Sequence, residues 1–131
     1  MIGIDTNVLL RFLFADDPVQ SPKARALIEQ HGVVPDSVRI TDVVLAEMAW
    51  VLQRLYGFDG AGIVDVVVKL LGDPAFLFSD RARIQRALDG CRRVPLGFAD
   101  CLIAQDNADA GCDFTATFDR KMRGLPRVKL L

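Results

Sequence analysis

Four carboxylates raise a question of chemistry: Asp5 in MIGIDTNVLLR, Glu47 in TDVVLAEMAWVL, Asp100 in GFADCLIAQ and Asp119 in TATFDRKM. Taken singly, three have ordinary explanations. Asp5 follows an apolar run and precedes a helix, the usual place for a cap. Asp100 falls in a first helical turn, where a negative charge favours the helix dipole. Asp119 follows a late strand, where a turn Asp is commonplace. Glu47 is harder to dismiss, because Val43, Val44, Trp50 and Val51 place it inside an apolar stripe. A buried, unpaired carboxylate costs several kcal/mol, so it needs a partner or a cation. Against this, Arg54 lies on nearly the same helical line, so either the stripe opens to solvent there or Arg54 pairs with a neighbour.

Together the four acids say more than any one of them. Each occupies the end or edge of a different element, and four converging like charges repel unless a cation is present. Oxygen ligands alone suit Mg²⁺ or Mn²⁺. Carboxylate chemistry with a single histidine, His31, points to metal-assisted phosphodiester hydrolysis. The three cysteines, Cys91, Cys101 and Cys112, have nine and ten residues between them and form no C-x-x-C pair, which argues against structural zinc. They read as reduced, mostly buried thiols in a reducing compartment.

The elements that must position these acids follow from periodicity. Met1–Ile4 reads as a buried strand, and Thr6 or Asn7 as the cap of a helix from Val8 to about Phe14. A second helix starts at Ser21-Pro22, with Ser21 as cap, and stops at Gly32. Residues 38–41 are β-like. Asp42 caps a long helix ending at Gly57, and Asp59 opens another that runs to Gly72. A short apolar stretch at 75–78 precedes a basic helix from about Ser79. Arg92–Gly97 reads as loop, Phe98–Ala110 as a helix closed by Gly111, and 114–118 and 128–131 as late strands. Helices alternating with strands, without hairpin turns, predict an α/β fold with a mostly parallel sheet, whose ligands bind at strand carboxyl ends. Asp5 and Asp119 both sit at such ends.

At 131 residues, with 51% hydrophobic and 25% charged residues, the chain fits one globular domain, 1–131. No apolar run reaches the ~20 residues of a membrane span, and no export signal is evident, so the expected location is the cytoplasm. The net charge of −1 does not announce a nucleic-acid binder. Setting the four acids aside takes that balance to +3, with ten of the sixteen basic residues in 81–129. A rim of this sign suits a phosphate backbone, with Arg54 and Arg81–Arg93 as candidate RNA contacts.

The set MIGIDTNVLLR, TDVVLAEMAWVL, FADCLIA and TFDRKM-x-x-L-P-x-V, in order along the whole chain, resembles the PIN-domain ribonucleases, and within them the VapC-type toxins of bacterial toxin–antitoxin pairs. The resemblance implies a three-layer fold with a central parallel sheet between helices, a Mg²⁺ or Mn²⁺ site, and endonucleolytic RNA cleavage. It assigns Asp5, Glu47, Asp100 and Asp119 to the metal-binding catalytic acids, with Thr6, Asn7 and Thr117 as polar supports that orient them. It also implies a homodimer inhibited by a small VapB-type antitoxin whose tail reaches the acidic pocket. Two other roles stand beside the toxin: a PIN nuclease of RNA processing or quality control, and an inactive PIN-like binding module. Aspartate-nucleophile phosphatases want D-x-D after the first strand, whereas here Asn7 follows two residues after Asp5. Receiver domains want an acidic pair before the phosphoacceptor, whereas the first strand here ends in a single acid.

Overall fold

A computed structural model describes residues 1–94 and 96–131; Pro95, within the segment expected as loop, lies outside the described residues. The chain divides into two compact units, Met1–Met48 with Val67–Ser79, and Ala49–Val66 with Asp80–Leu131. The secondary structure is α/β, as expected, and every strand pairing is parallel.

The first unit is built on three short strands, β1 (Ile2–Gly3), β2 (Val38–Ile40) and β3 (Phe76–Phe78), in that spatial order. Ile2 pairs with Val38, and Val38 with Phe76. Helices α1 (Thr6–Leu13) and α2 (Gln20–His31) lie between β1 and β2 in sequence, as a parallel pair requires. Val38, Ile40, Phe76 and Leu9 are fully buried, and Phe12 meets Phe76 edge to face at 5.9 Å. Gly32 ends α2 because nothing larger fits: a Cβ there would stand 2.7 Å from the Ile28 carbonyl oxygen and 2.9 Å from Ala75 Cβ.

The start of α2 differs from expectation. The helix begins one residue before Ser21, and it is Asp17 whose Oδ1 accepts from the N–H groups of Val19 (2.9 Å) and Gln20 (2.7 Å). Ser21 is buried and its hydroxyl donates instead to the Phe14 carbonyl. Helix α3 (Asp42–Arg54) also shifts its cap by one residue. Thr41 Oγ1 accepts from Val44 N–H at 3.2 Å, which makes Asp42 the first helical residue. It ends at Arg54, three residues before Gly57, whose φ of +68° makes the turn that follows.

In the second unit α5 (Arg81–Arg93) packs against α6 (Phe98–Asp109), burying Ile84, Ala87 and Leu88 on one and Cys101, Leu102 and Ala104 on the other. A Cβ on Gly90 would already touch Leu125 and Cys101, at 3.4 and 3.7 Å. Two ion pairs tie the helices together, Arg83 to Asp106 (3.4 Å) and Arg86 to Asp109 (2.7 Å). Helix α4 (Gly60–Gly72) opens as expected, Asp59 Oδ1 accepting from Gly62 N–H at 2.8 Å. The late strands β4 (Thr115–Thr117) and β5 (Val128–Leu130) form their own two-stranded parallel sheet. Between them Arg120–Gly124 makes a short 3-10 helix that the hydrophobic pattern does not announce.

Candidate active site

In the first unit the backbone leaves β1 at Gly3 and turns into α1 two residues later, at Asp5. Asp5, rather than Thr6 or Asn7, caps α1: its Oδ1 accepts from Val8 N–H at 2.9 Å. An Asp in extended conformation immediately before a helix fills this role as well as any residue. That frees Thr6, which is buried in the first helical turn, and its hydroxyl donates to Glu47 Oε1 on α3. Glu47 itself is exposed, and so are its helical neighbours Val43 (75%) and Trp50 (54%). Of the two alternatives the sequence left open, the stripe opens to solvent; Glu47 is not buried, and its partner is the Thr6 hydroxyl. Arg54 lies with its guanidinium 5.6 Å from the centre of the Trp50 ring. Asn7 is exposed and lines, with Asp5, Arg11, Gln20 and Lys23, a cavity of about 320 Å³ in this unit.

The second unit carries the other two acids. Asp119 lies two residues beyond β4, the same offset from a parallel strand as Asp5 from β1. Its N–H donates to Thr117 Oγ1 at 3.0 Å, and its Oδ1 accepts from Lys121 N–H at 2.9 Å, capping the 3-10 helix. Thr117 thus braces the turn that presents the acid. Asp100 stands in the first turn of α6 and is half-buried. Burial pushes its carboxyl above the usual aspartate range, the Asp119 charge adds to that, and Lys121 partly opposes it. Both acids line a cavity of about 770 Å³ in this unit, with Gln53, Cys91, Arg92 and Lys121.

The cysteines also differ from one another. Cys101 is buried, Cys91 half-buried and Cys112 exposed, so only one of the three is fully enclosed. The Cys91 thiol donates to Cys101, and that bond together with burial holds its pKa far above the ordinary thiol range. It is the protonated, unreactive form that this environment favours. Of the arginines in 81–93, Arg83 and Arg86 hold α6, and Arg92 reaches Asp89 at 3.4 Å while lining the large cavity. Sequence reading placed Lys121 only among the basic residues clustered in 81–129, not at the site.

The structure thus brings together Thr6 with Glu47 in one unit and Asp100 with Asp119 in the other. Among the described residues, no group of three or more His, Cys, Asp or Glu side chains forms a ready metal cluster. The donor chemistry fits a hard divalent ion nonetheless: every donor is an oxygen, and Asp100 is a carboxyl that an added positive charge would relieve.

The chain is α/β with parallel strands, and an acid stands two residues past the end of β1 and of β4. The chain matches the PIN domain family over residues 2–128, and it belongs to that family. PIN domains are generally nucleases, typically dependent on divalent metals. A comparison with curated proteins found no match. Among the described residues no helix is long and apolar enough to cross a membrane.

Proposed function

We propose that this chain is a metal-dependent endoribonuclease of the VapC type, the toxin of a toxin–antitoxin pair, with residues 1–131 forming one PIN-like domain. The observation that carries the reading is the pairing of Asp100 with Asp119 in a cavity that Asp65 also lines, the Asp100 carboxyl being raised by burial and by the Asp119 charge. In a nuclease family such a pair is best explained as a cation site. Asp5, Glu47, Asp100 and Asp119 are the residues that would hold Mg²⁺ or Mn²⁺. The chemistry such an ion supplies when bound is activation of water and neutralisation of charge on the leaving oxygen.

The protein's own part is positioning. Thr6 holds Glu47, Thr117 braces the Asp119 turn, and the cap bond to Val8 fixes Asp5 at the head of α1. Asn7, beside Asp5, is a further polar group for orienting water or substrate. The partners of this reading are RNA, a small VapB-type antitoxin and a second copy of the chain, in the cytoplasm.

The direct test is cleavage of a structured RNA by the purified protein. Cleavage with Mn²⁺ or Mg²⁺ and none in excess EDTA is the expected result. Undiminished cleavage in EDTA refutes the metal mechanism, and no cleavage with any divalent ion leaves only a binding module. The biological half is tested by expression with and without the neighbouring reading frame. Growth arrest relieved by a co-purifying small partner supports the toxin; a chain harmless on its own points to RNA processing or quality control.

A further inference from the structure

The carboxylates that line this cavity, Asp65, Asp100 and Asp119, are by themselves a poor receptacle for a polyanion. The cavity holding Asp100 and Asp119 is nevertheless lined by two cations, Lys121 and Arg92. Lys121 is held by its backbone: its N–H donates to Asp119 Oδ1, so the side chain starts from a fixed point on the wall that carries the acid. Arg92 comes from a different element, the last turn of α5, and its ion pair with Asp89 on the same helix is half-exposed at both ends. Such pairs are weak and readily exchanged for another anion. The guanidinium offers a planar fork matched to phosphate oxygens, and the lysine a mobile point charge.

We propose that Lys121 and Arg92 hold backbone phosphates of the RNA in this cavity, as the positioning groups that lay the strand across Asp100 and Asp119. This rests on the nuclease reading above, and it names the groups by which that site would engage its substrate. The arrangement divides labour by charge: acids for the cation, and two basic side chains from separate elements for the flanking phosphates. Arg83 and Arg86 differ in this respect, being committed to acids of α6.

The test measures binding rather than turnover. The whole protein, in EDTA, is titrated into a fluorescein-labelled single-stranded oligoribonucleotide at several KCl concentrations, and affinity is read from anisotropy. Each phosphate contact on a single strand contributes about 0.7 to the slope of log affinity against log salt. Lys121→Gln and Arg92→Gln should each flatten the slope by about 0.7. Lys121→Arg should keep it, and Arg123→Gln, in the same 3-10 helix but outside the cavity lining, should leave it unchanged. Thermal midpoints close to that of the parent confirm that the variants are folded. Unchanged slopes in both glutamine variants overturn the proposal, as does equal flattening by Arg123→Gln, which marks diffuse attraction. If Lys121 is only a counter-ion for the acids, Lys121→Gln leaves the slope alone. Cleavage by the wild type with Mn²⁺ but unaltered slopes removes this inference and spares the nuclease. Flattened slopes without any cleavage do the reverse, and a wild type that binds no RNA overturns the proposal outright.

Discussion

Replacing Thr6 by valine isolates one hydrogen bond at the candidate site. Thr6 is 7% exposed and its hydroxyl donates to Glu47 Oε1, while Glu47 is open to water. A hydrogen bond to a carboxylate contributes about 1.5–3 kcal/mol when its partner would otherwise be stranded. Here water can take the donor's place on Glu47, so the stability loss should fall to about 1 kcal/mol. For a chain of this size that lowers the thermal midpoint by roughly 4 °C. Activity should suffer far more, because groups that orient a metal ligand cost about 10–100-fold when removed. The assay is Mn²⁺-dependent RNA cleavage with the metal titrated, together with a melt in EDTA. Thr6→Val should raise the Mn²⁺ needed for half-maximal rate, and Thr6→Ser, which keeps the hydroxyl, should restore it. Full activity at unchanged Mn²⁺ demand in the valine variant refutes the claim that Thr6 positions Glu47. A fall in midpoint far beyond 4 °C, with activity lost in both variants, would mean that Thr6 serves packing alone.

Asp100→Asn should abolish cleavage, since a neutral amide is a poor ligand for a hard ion. Its pH signature follows from the raised carboxyl: the folded chain keeps this proton to higher pH than the unfolded one. That stabilising contribution is fully present below the ordinary value of 3.8 and is lost as pH rises through the raised folded value. In EDTA at pH 7 the Asn variant should therefore melt no earlier than its parent, with the difference closing by about pH 3; an earlier melt at pH 7 contradicts this. Gly124→Ala places a Cβ 2.5 Å from Val94 Cγ1 and should cost about 1–3 kcal/mol by overpacking. Adding Val94→Ala should recover part of that loss in a denaturant titration; no recovery would put the strain elsewhere.

What the sequence disclosed depended on whether the deciding interaction was local. Asp59 capping α4 is a contact three residues long, and it appears where the pattern put it. The division of labour around Asp5 was not legible, because Thr6 is diverted by a partner 41 positions away that no local pattern reveals. Helical periodicity made Glu47 part of an apolar stripe but could not say whether anything covers that stripe; Val43 and Trp50 are exposed. Ser21-Pro22 looked like a helix start, but Asp17 captured both leading N–H groups first. Lys121 was hidden for a related reason. A lysine two residues past an acid is unremarkable until the 3-10 helix fixes its backbone to that acid.

The division of the chain has a consequence for biosynthesis. The first unit is closed by Val67–Ser79, so β2 lacks its β3 neighbour until Phe76–Phe78 has left the ribosome. By then residues 49–66, which belong to the second unit, have already emerged without their packing partners at 80–131. A nascent chain stalled before residue 76 has made Asp5, Thr6 and Glu47 but not the strand that completes the sheet of their unit. Asp100 and Asp119 come later still, in α6 and just past β4. Termination before residue 119 leaves a product that lacks Asp119, and termination before residue 100 one that lacks both acids of the second unit.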